Sequence, residues 1–207
     1  MLEIIGNIFM LSAALSCLLM LLPPALLFTG APALRDVCQH LAALFDTINT
    51  SVARTVMWLA LIMALVQVGV VVMRYVFGIN FIWLQESIIY MFGFLFLLTA
   101  GYALLQNEHV RVDIFYRDAS ARRKAIVDFV GTYLFLFPVC ILIIWAAGPY
   151  VARAWDVMEG SREASGIQAV FIMKSLIPIF AVLLAIAGFS IATKAVLVLR
   201  PTRQVTN

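Results

Sequence analysis

Residues 55–73, TVMWLALIMALVQVGVVVM, carry no charged side chain, and the chain repeats this kind of run several times. About 20 such residues in a helix cross the hydrocarbon layer of a bilayer, where every backbone N–H and C=O must be satisfied within the segment itself. Four further stretches qualify: 4–28, 83–105, 129–148 and 170–193. In the first, Pro23 and Pro24 remove helix donors and predict a kink or an end. The expected fold class is therefore an all-α integral membrane protein, a helical bundle of about five transmembrane spans.

Composition agrees. Of 207 residues, 64% are hydrophobic and 12% charged, against roughly a quarter charged in an average soluble domain. One soluble core of this size could not hide so much apolar surface. The formal net charge of +3 is spread along the chain and not gathered on one basic face, which argues against nucleic acid as a partner. Cys17, Cys38 and Cys140 are too far apart to suggest a metal or disulfide framework and read as small buried hydrophobes. The opening MLEII lacks the positive n-region of a secretory signal, so the first run reads as a retained span.

Residues 34–54 break the apolar pattern. Leu34, Val37, Cys38, Leu41, Phe45, Ile48 and Val52 form a stripe at helical spacing, and Arg35, Asp36, Gln39, His40, Asp46 and Asn49 occupy the other face. This predicts an amphipathic helix along the membrane surface, its stripe in the acyl boundary or against a partner. The chain then divides into an N-terminal extra transmembrane segment (1–33), the interfacial helix (34–54), a four-span core (55–199) and a cytoplasmic tail (200–207).

Ten of the fourteen Lys and Arg fall on one side if the spans alternate, among them Arg111, Arg117, Arg122, Arg123 and Lys124 in a single loop. The positive-inside rule makes that side cytoplasmic. The C-terminus is then cytoplasmic and the N-terminus outside. Arg74, Arg153, Arg162 and Lys174 remain outside.

The charges inside or beside the spans need a physical reason. Arg74 closes one span, Glu86 lies in the first turns of the next, and Lys174 enters the last at a similar depth. A carboxylate there suggests a structural clasp, within the hairpin or toward another membrane protein, or alternatively an ion or proton relay. A relay needs polar groups deeper in the bilayer, and spans two to five offer only Gln67 besides scattered Ser and Thr. In EHVRVDIF, residues 108–115, Glu108, His109, Arg111 and Asp113 crowd an interface. A metal or a proton switch there is the weaker reading, since one His among alternating neighbours makes a poor ligand set. Hydrogen bonding that fixes the turn is the stronger one. No nucleophile-and-base set and no phosphate loop is visible, and His40 and His109 merely flank spans, which argues against an enzyme and against haem or another cofactor.

Residues 71–115, VVMRYVFGINFIWLQESIIYMFGFLFLLTAGYALLQNEHVRVDIF, resemble the small membrane subunit, DctQ or small permease, of tripartite ATP-independent periplasmic (TRAP) transporters. The ordered features are Arg74 and Tyr75 closing one helix, Trp83 and Glu86 opening the next, and His109 and Asp113 at its exit. Residues 174–188, KSLIPIFAVLLAIAG, look like the last span of the same family. Two departures stand out: Gln85 replaces the first of two acids common at the span entrance, and the run 4–28 is additional to a four-span core.

The resemblance implies a bacterial inner-membrane scaffold subunit of an ion-gradient-driven transporter, usually sodium-coupled, for organic acids. Its partners would be a large elevator-type permease subunit (DctM-like), a periplasmic substrate-binding protein, and lipid. Arg74, Tyr75, Trp83, Glu86, His109, Asp113 and Lys174 are then candidates for structure or partner contact, with no catalytic, substrate or metal residue. A scarcity of polar groups at mid-membrane suits a brace better than a pathway. The competing reading is a free-standing small ion channel or carrier using Glu86 and Lys174.

Overall fold

A computed structural model describes residues 20–106 and 119–200. Among them the regular structure is helical throughout: α1 Leu22–Thr29, α2 Pro32–Val76, α3 Ile82–Leu105, α4 Ala121–Gly131, a π turn Thr132–Leu136, α5 Phe137–Asp156 and α6 Val170–Leu199. Four rods are long and apolar enough to cross a membrane: Pro32–Tyr75, Ile82–Leu105, Ala121–Asp156 and Val170–Leu199. These contain the second to fifth expected spans. Most of the expected first span lies outside the described residues.

Pro23 and Pro24 open α1, where a missing N–H costs little because the first helical donors have no intrahelical acceptor. Gly30 ends it with φ +63, its N–H reaching Leu26 O at 2.9 Å. Arg200 donates to Phe28 O at 3.2 Å, tying the end of α6 to this cap.

The structure draws one boundary differently from the sequence expectation. The amphipathic segment 34–54 is not a separate surface helix but the first half of α2, a single helix of 45 residues. At 1.5 Å per residue it is about 68 Å long, more than twice the ~30 Å hydrocarbon layer. The reason is local: no Pro or Gly interrupts the sequence between Ala33 and Val68, so nothing ends the helix at Arg54. The buried stripe of this half runs through Cys38, Ala42, Phe45, Asn49, Ala53 and Val56. Val37 and Ile48, expected on it, are 50% and 38% exposed, and Asn49, expected on the polar face, is fully buried.

Gly78, with φ +69, reverses the chain after α2, and the N–H of Ile79 returns to Met73 O at 3.0 Å. This makes α2 and α3 an antiparallel hairpin. Ser120 caps α4 by accepting from the Arg123 N–H. The π turn falls just before Pro138, which cannot donate to the preceding turn. Gly188 of α6 seats this bulge: a Cβ there would lie 3.1 Å from Phe137 and 3.3 Å from Thr132.

Helix α6 is the hub. It packs against each of the other helices and holds more buried residues than any other element, including Ala181, Leu184, Ala185, Phe189 and Val196. One apolar cluster joins it to α5 through Phe137, Cys140 and Ile144, and a second joins it to α1 and α2 through Leu26, Cys38, Ala42 and Phe45. The outer surfaces of α2, α3 and α5 carry Trp58, Leu65, Phe96 and Trp145, all more than 60% exposed, as a lipid or partner solvent allows.

Three helices meet at Gly101 of α3. A Cβ there would collide with Asn49 Oδ1 of α2 and lie 2.9 Å from the backbone carbonyl of Leu183 in α6. Gly101→Ala should therefore cost roughly 1–3 kcal/mol through overpacking. At Gly69 no atom lies within 4 Å of an added Cβ, so Gly69→Ala should be neutral or slightly stabilising. Thermal unfolding of the purified chain in detergent measures both.

Candidate functional site

Of the charged groups singled out in the sequence, Glu86 and Lys174 meet the 157–169 connection between α5 and α6, here the hairpin end. Glu86 occupies the second turn of α3, and its side chain turns toward the connection between α5 and α6. Its Oε2 accepts the backbone N–H of Ile167 at 2.6 Å, and its Oε1 accepts the hydroxyl of Ser161. Ser161 Oγ in turn accepts the N–H of Glu163 at 3.1 Å. A Cβ on Gly166 would lie 2.6 Å from Glu86 Oε2, so the absence of a side chain there permits the approach. Tyr90, one turn further along α3, donates to Ile167 O at 3.5 Å.

The rest of the connection folds onto itself. Met158 adopts φ +45, Glu159 N–H reaches Ala154 O at 2.9 Å, and Phe171 N–H reaches Glu159 O at 3.2 Å. Lys174 Nζ pairs with Glu159 at 2.5 Å and stands 4.0 Å above the centre of the Tyr150 ring. Trp155 donates its indole N–H to Ser175 Oγ at 2.8 Å and packs edge-on against Phe171 at 4.7 Å. Beside this knot lies an open cavity of about 440 Å³ bordered by Tyr150, Arg153, Asp156 and Lys174.

The partners of Glu86 and Lys174 differ from those the spacing suggested. Glu86 pairs with neither Arg74 nor Lys174; it holds a loop through hydrogen bonds, while Lys174 is taken by Glu159. A carboxylate that accepts a backbone N–H and a hydroxyl satisfies its lone pairs in place of a second buried charge. Arg74 and Tyr75 are exposed, and Trp83 is half exposed, resting against Phe81 with ring centres 6.2 Å apart. Gln85 donates to Asn80 Oδ1 at 2.5 Å and so belongs to the turn. His109 and Asp113 lie outside the described residues. Among the described residues no three His, Cys, Asp or Glu converge as metal ligands would.

Sequence reasoning missed Ser161, Gly166 and Ile167. The available signal was the Gly- and Ser-rich stretch EGSREASGIQ directly before the last span, a composition suited to a loop that must bring backbone N–H groups close to an acceptor. Glu86→Ala should speed hydrogen–deuterium exchange at Ile167 and its neighbours by about 10-fold or more, because a hydrogen bond to a charged group contributes about 1.5–3 kcal/mol. Arg74→Ala should leave exchange in residues 157–169 unchanged.

Comparison with known proteins places this arrangement. Residues 62–197 match the family described as tripartite ATP-independent periplasmic transporters, DctQ component. The C4-dicarboxylate TRAP transporter small permease protein DctQ of Vibrio cholerae serotype O1 is 30% identical over 99 residues, covering 45% of this chain and 42% of that one. The alignment thus spans less than half the length of that relative. No solved structure matches this chain. With the family's pattern running from the second half of α2 through nearly all of α6, this all-helical, multi-span chain belongs to the DctQ family of TRAP transporter small permease subunits.

Proposed function

We propose that this subunit is a static brace in an inner-membrane transporter driven by an ion gradient, sodium by the family's habit, and carrying organic acids, the class to which the relative's C4-dicarboxylates belong. Its membrane-embedded partner is a large elevator-type permease subunit, and its loops on the periplasmic side help dock a substrate-binding protein. In this reading the hairpin end faces the periplasm, the Lys194 end and C-terminus face the cytoplasm, and the N-terminus is periplasmic.

The observation that carries the reading is the clasp. Glu86 and Lys174, the two charges a small channel or carrier would need, are both spent on holding the 157–169 connection. A conducting path requires polar groups free to exchange ligands along its length. A docking ledge requires a loop with little freedom left to lose on binding. The mixed charge around the cavity between Tyr150 and Lys174 gives that ledge polar contacts of both signs. The large apolar faces of α2, α3 and α5 supply surface for a membrane partner.

Extraction in mild detergent tests this directly. A large multi-span permease should co-purify with the chain in stoichiometric amount; recovery of the chain alone would remove the basis for the brace. Glu86→Ala, with the ledge loosened, should still recover the permease but lower uptake that depends on the binding protein. Unchanged uptake with altered ion dependence would instead assign Glu86 to ion handling.

A further inference from the structure

Among the described residues four buried side-chain oxygens have no hydrogen-bond partner: Asp46 Oδ1, Asn49 Oδ1, Ser190 Oγ and Thr193 Oγ1. Asp46 and Asn49 belong to α2, Ser190 and Thr193 to α6. Helices α2 and α6 touch through the edge-on rings of Phe45 and Phe189, 5.3 Å apart, and through Lys194 Nζ on Asp46 Oδ2 at 2.7 Å. Phe189 and Lys194 therefore both face α2. Thr193 lies one turn after Phe189, and Ser190 one turn before Lys194, so both hydroxyls stand between these contacts. Asn49 lies one turn beyond Phe45 in the other direction, its Oδ1 against Gly101 of α3 and level with Leu183, on the far side of the Phe45–Phe189 contact from Thr193. Asn49, Ser190 and Thr193 are each 0% exposed.

The two hydroxyls depart from a habit of this chain. Thr29, Thr47, Thr55, Thr99, Thr132 and Ser175 each donate to the carbonyl four residues earlier, the usual way a helix absorbs a hydroxyl in an apolar setting. Ser190 and Thr193 do not. Asn49 uses its amide donor on Phe45 O at 3.1 Å, which leaves its oxygen as an acceptor alone. Beside the Asp46–Lys194 pair, one carboxylate oxygen and two hydroxyls, all shielded and none with a protein partner, call for a small species that can donate and accept at once.

We propose that the α2–α6 seam beside the Asp46–Lys194 pair binds ordered water, held by Asp46 Oδ1, Ser190 and Thr193, which fixes where the long helix crosses the hub. Water meets the stoichiometry, since a buried molecule needs two to four polar partners and can donate to the carboxylate while accepting from the hydroxyls. A cation fits less well: the Lys194 ammonium already supplies the positive charge for Asp46. The seam acts as a register lock, because sliding α2 by a turn would set these polar groups against apolar neighbours.

Thermal unfolding of the purified full chain in detergent tests the lock with a near-isosteric pair. Thr193→Val removes the hydroxyl and keeps the shape, and should lower the midpoint by about 2–4 °C, the scale expected for one hydrogen-bonding group in a chain of this length. Thr193→Ser, which keeps the hydroxyl, should melt close to the parent, and Ser190→Ala should behave like Thr193→Val. A rise in midpoint for Thr193→Val and Ser190→Ala would show hydroxyls merely buried at a cost, and would overturn the proposal. A midpoint that depends on sodium or potassium against choline, in the parent but not in Thr193→Val, would replace water by a cation and also overturn it. If the variants cannot be purified, the experimental density of the parent decides: a peak between Asp46 and Thr193 supports the water, and its absence overturns it.

Discussion

The contact at Gly101, where Asn49 of α2 and the Leu183 carbonyl of α6 press on a residue without a Cβ, sets the positions of three helices at once. In a bilayer, apolar side chains gain little by leaving lipid for protein, so close backbone approach and a few polar contacts must supply the specificity of packing. Eight residues earlier on α3, a Cβ added at Gly93 would lie 3.9 Å from the side chains of Leu176 and Met173 of α6. The pairing of 93 with 173–176 and of 101 with 183 makes α3 and α6 parallel and in register. Glu86, two turns nearer the start of α3, is thereby delivered to the connection that leads into α6.

The clasp at one end is thus a consequence of packing at the other. Gly101 stands 15 positions after Glu86, about 22 Å of helix, which acts as a rigid ruler. At its far end the carboxylate meets the Ile167 N–H and the Ser161 hydroxyl only if the register is right. Helix α6 is packed along its length by α1, α2, α3, α4 and α5, and its leading loop is fastened to α3.

Much of the fold was legible in the sequence because lipid imposes a simple grammar. Each apolar run long enough to cross must be helical, and the runs beginning near 55, 83, 129 and 170 all proved to lie in such helices. The charges at 86 and 174 were legible as exceptions to that grammar. Their partners were not, since Glu86 bonds to residues 75 and 81 positions away, one of them through a backbone N–H that no side-chain pattern encodes. The amphipathic stripe was read about one wheel position off for a related reason: small residues such as Ala42 and Ala53 mark a buried face by close approach, whereas hydropathy weights the larger Val37 and Ile48.

The sequence by itself determined that the chain is helical, that it lives in a membrane, and which family it belongs to. Hydropathy over about 20 residues and the order of a few interface residues are one-dimensional properties that a bilayer translates directly into spans. Only the tertiary structure decided that residues 34–54 continue into the next span as one helix, that Glu86 fastens a loop instead of pairing with Arg74, and that Asn49 is buried against Gly101. Each of these depends on which distant residues share a contact, and that is fixed by the meeting of backbones in three dimensions, which local composition does not specify.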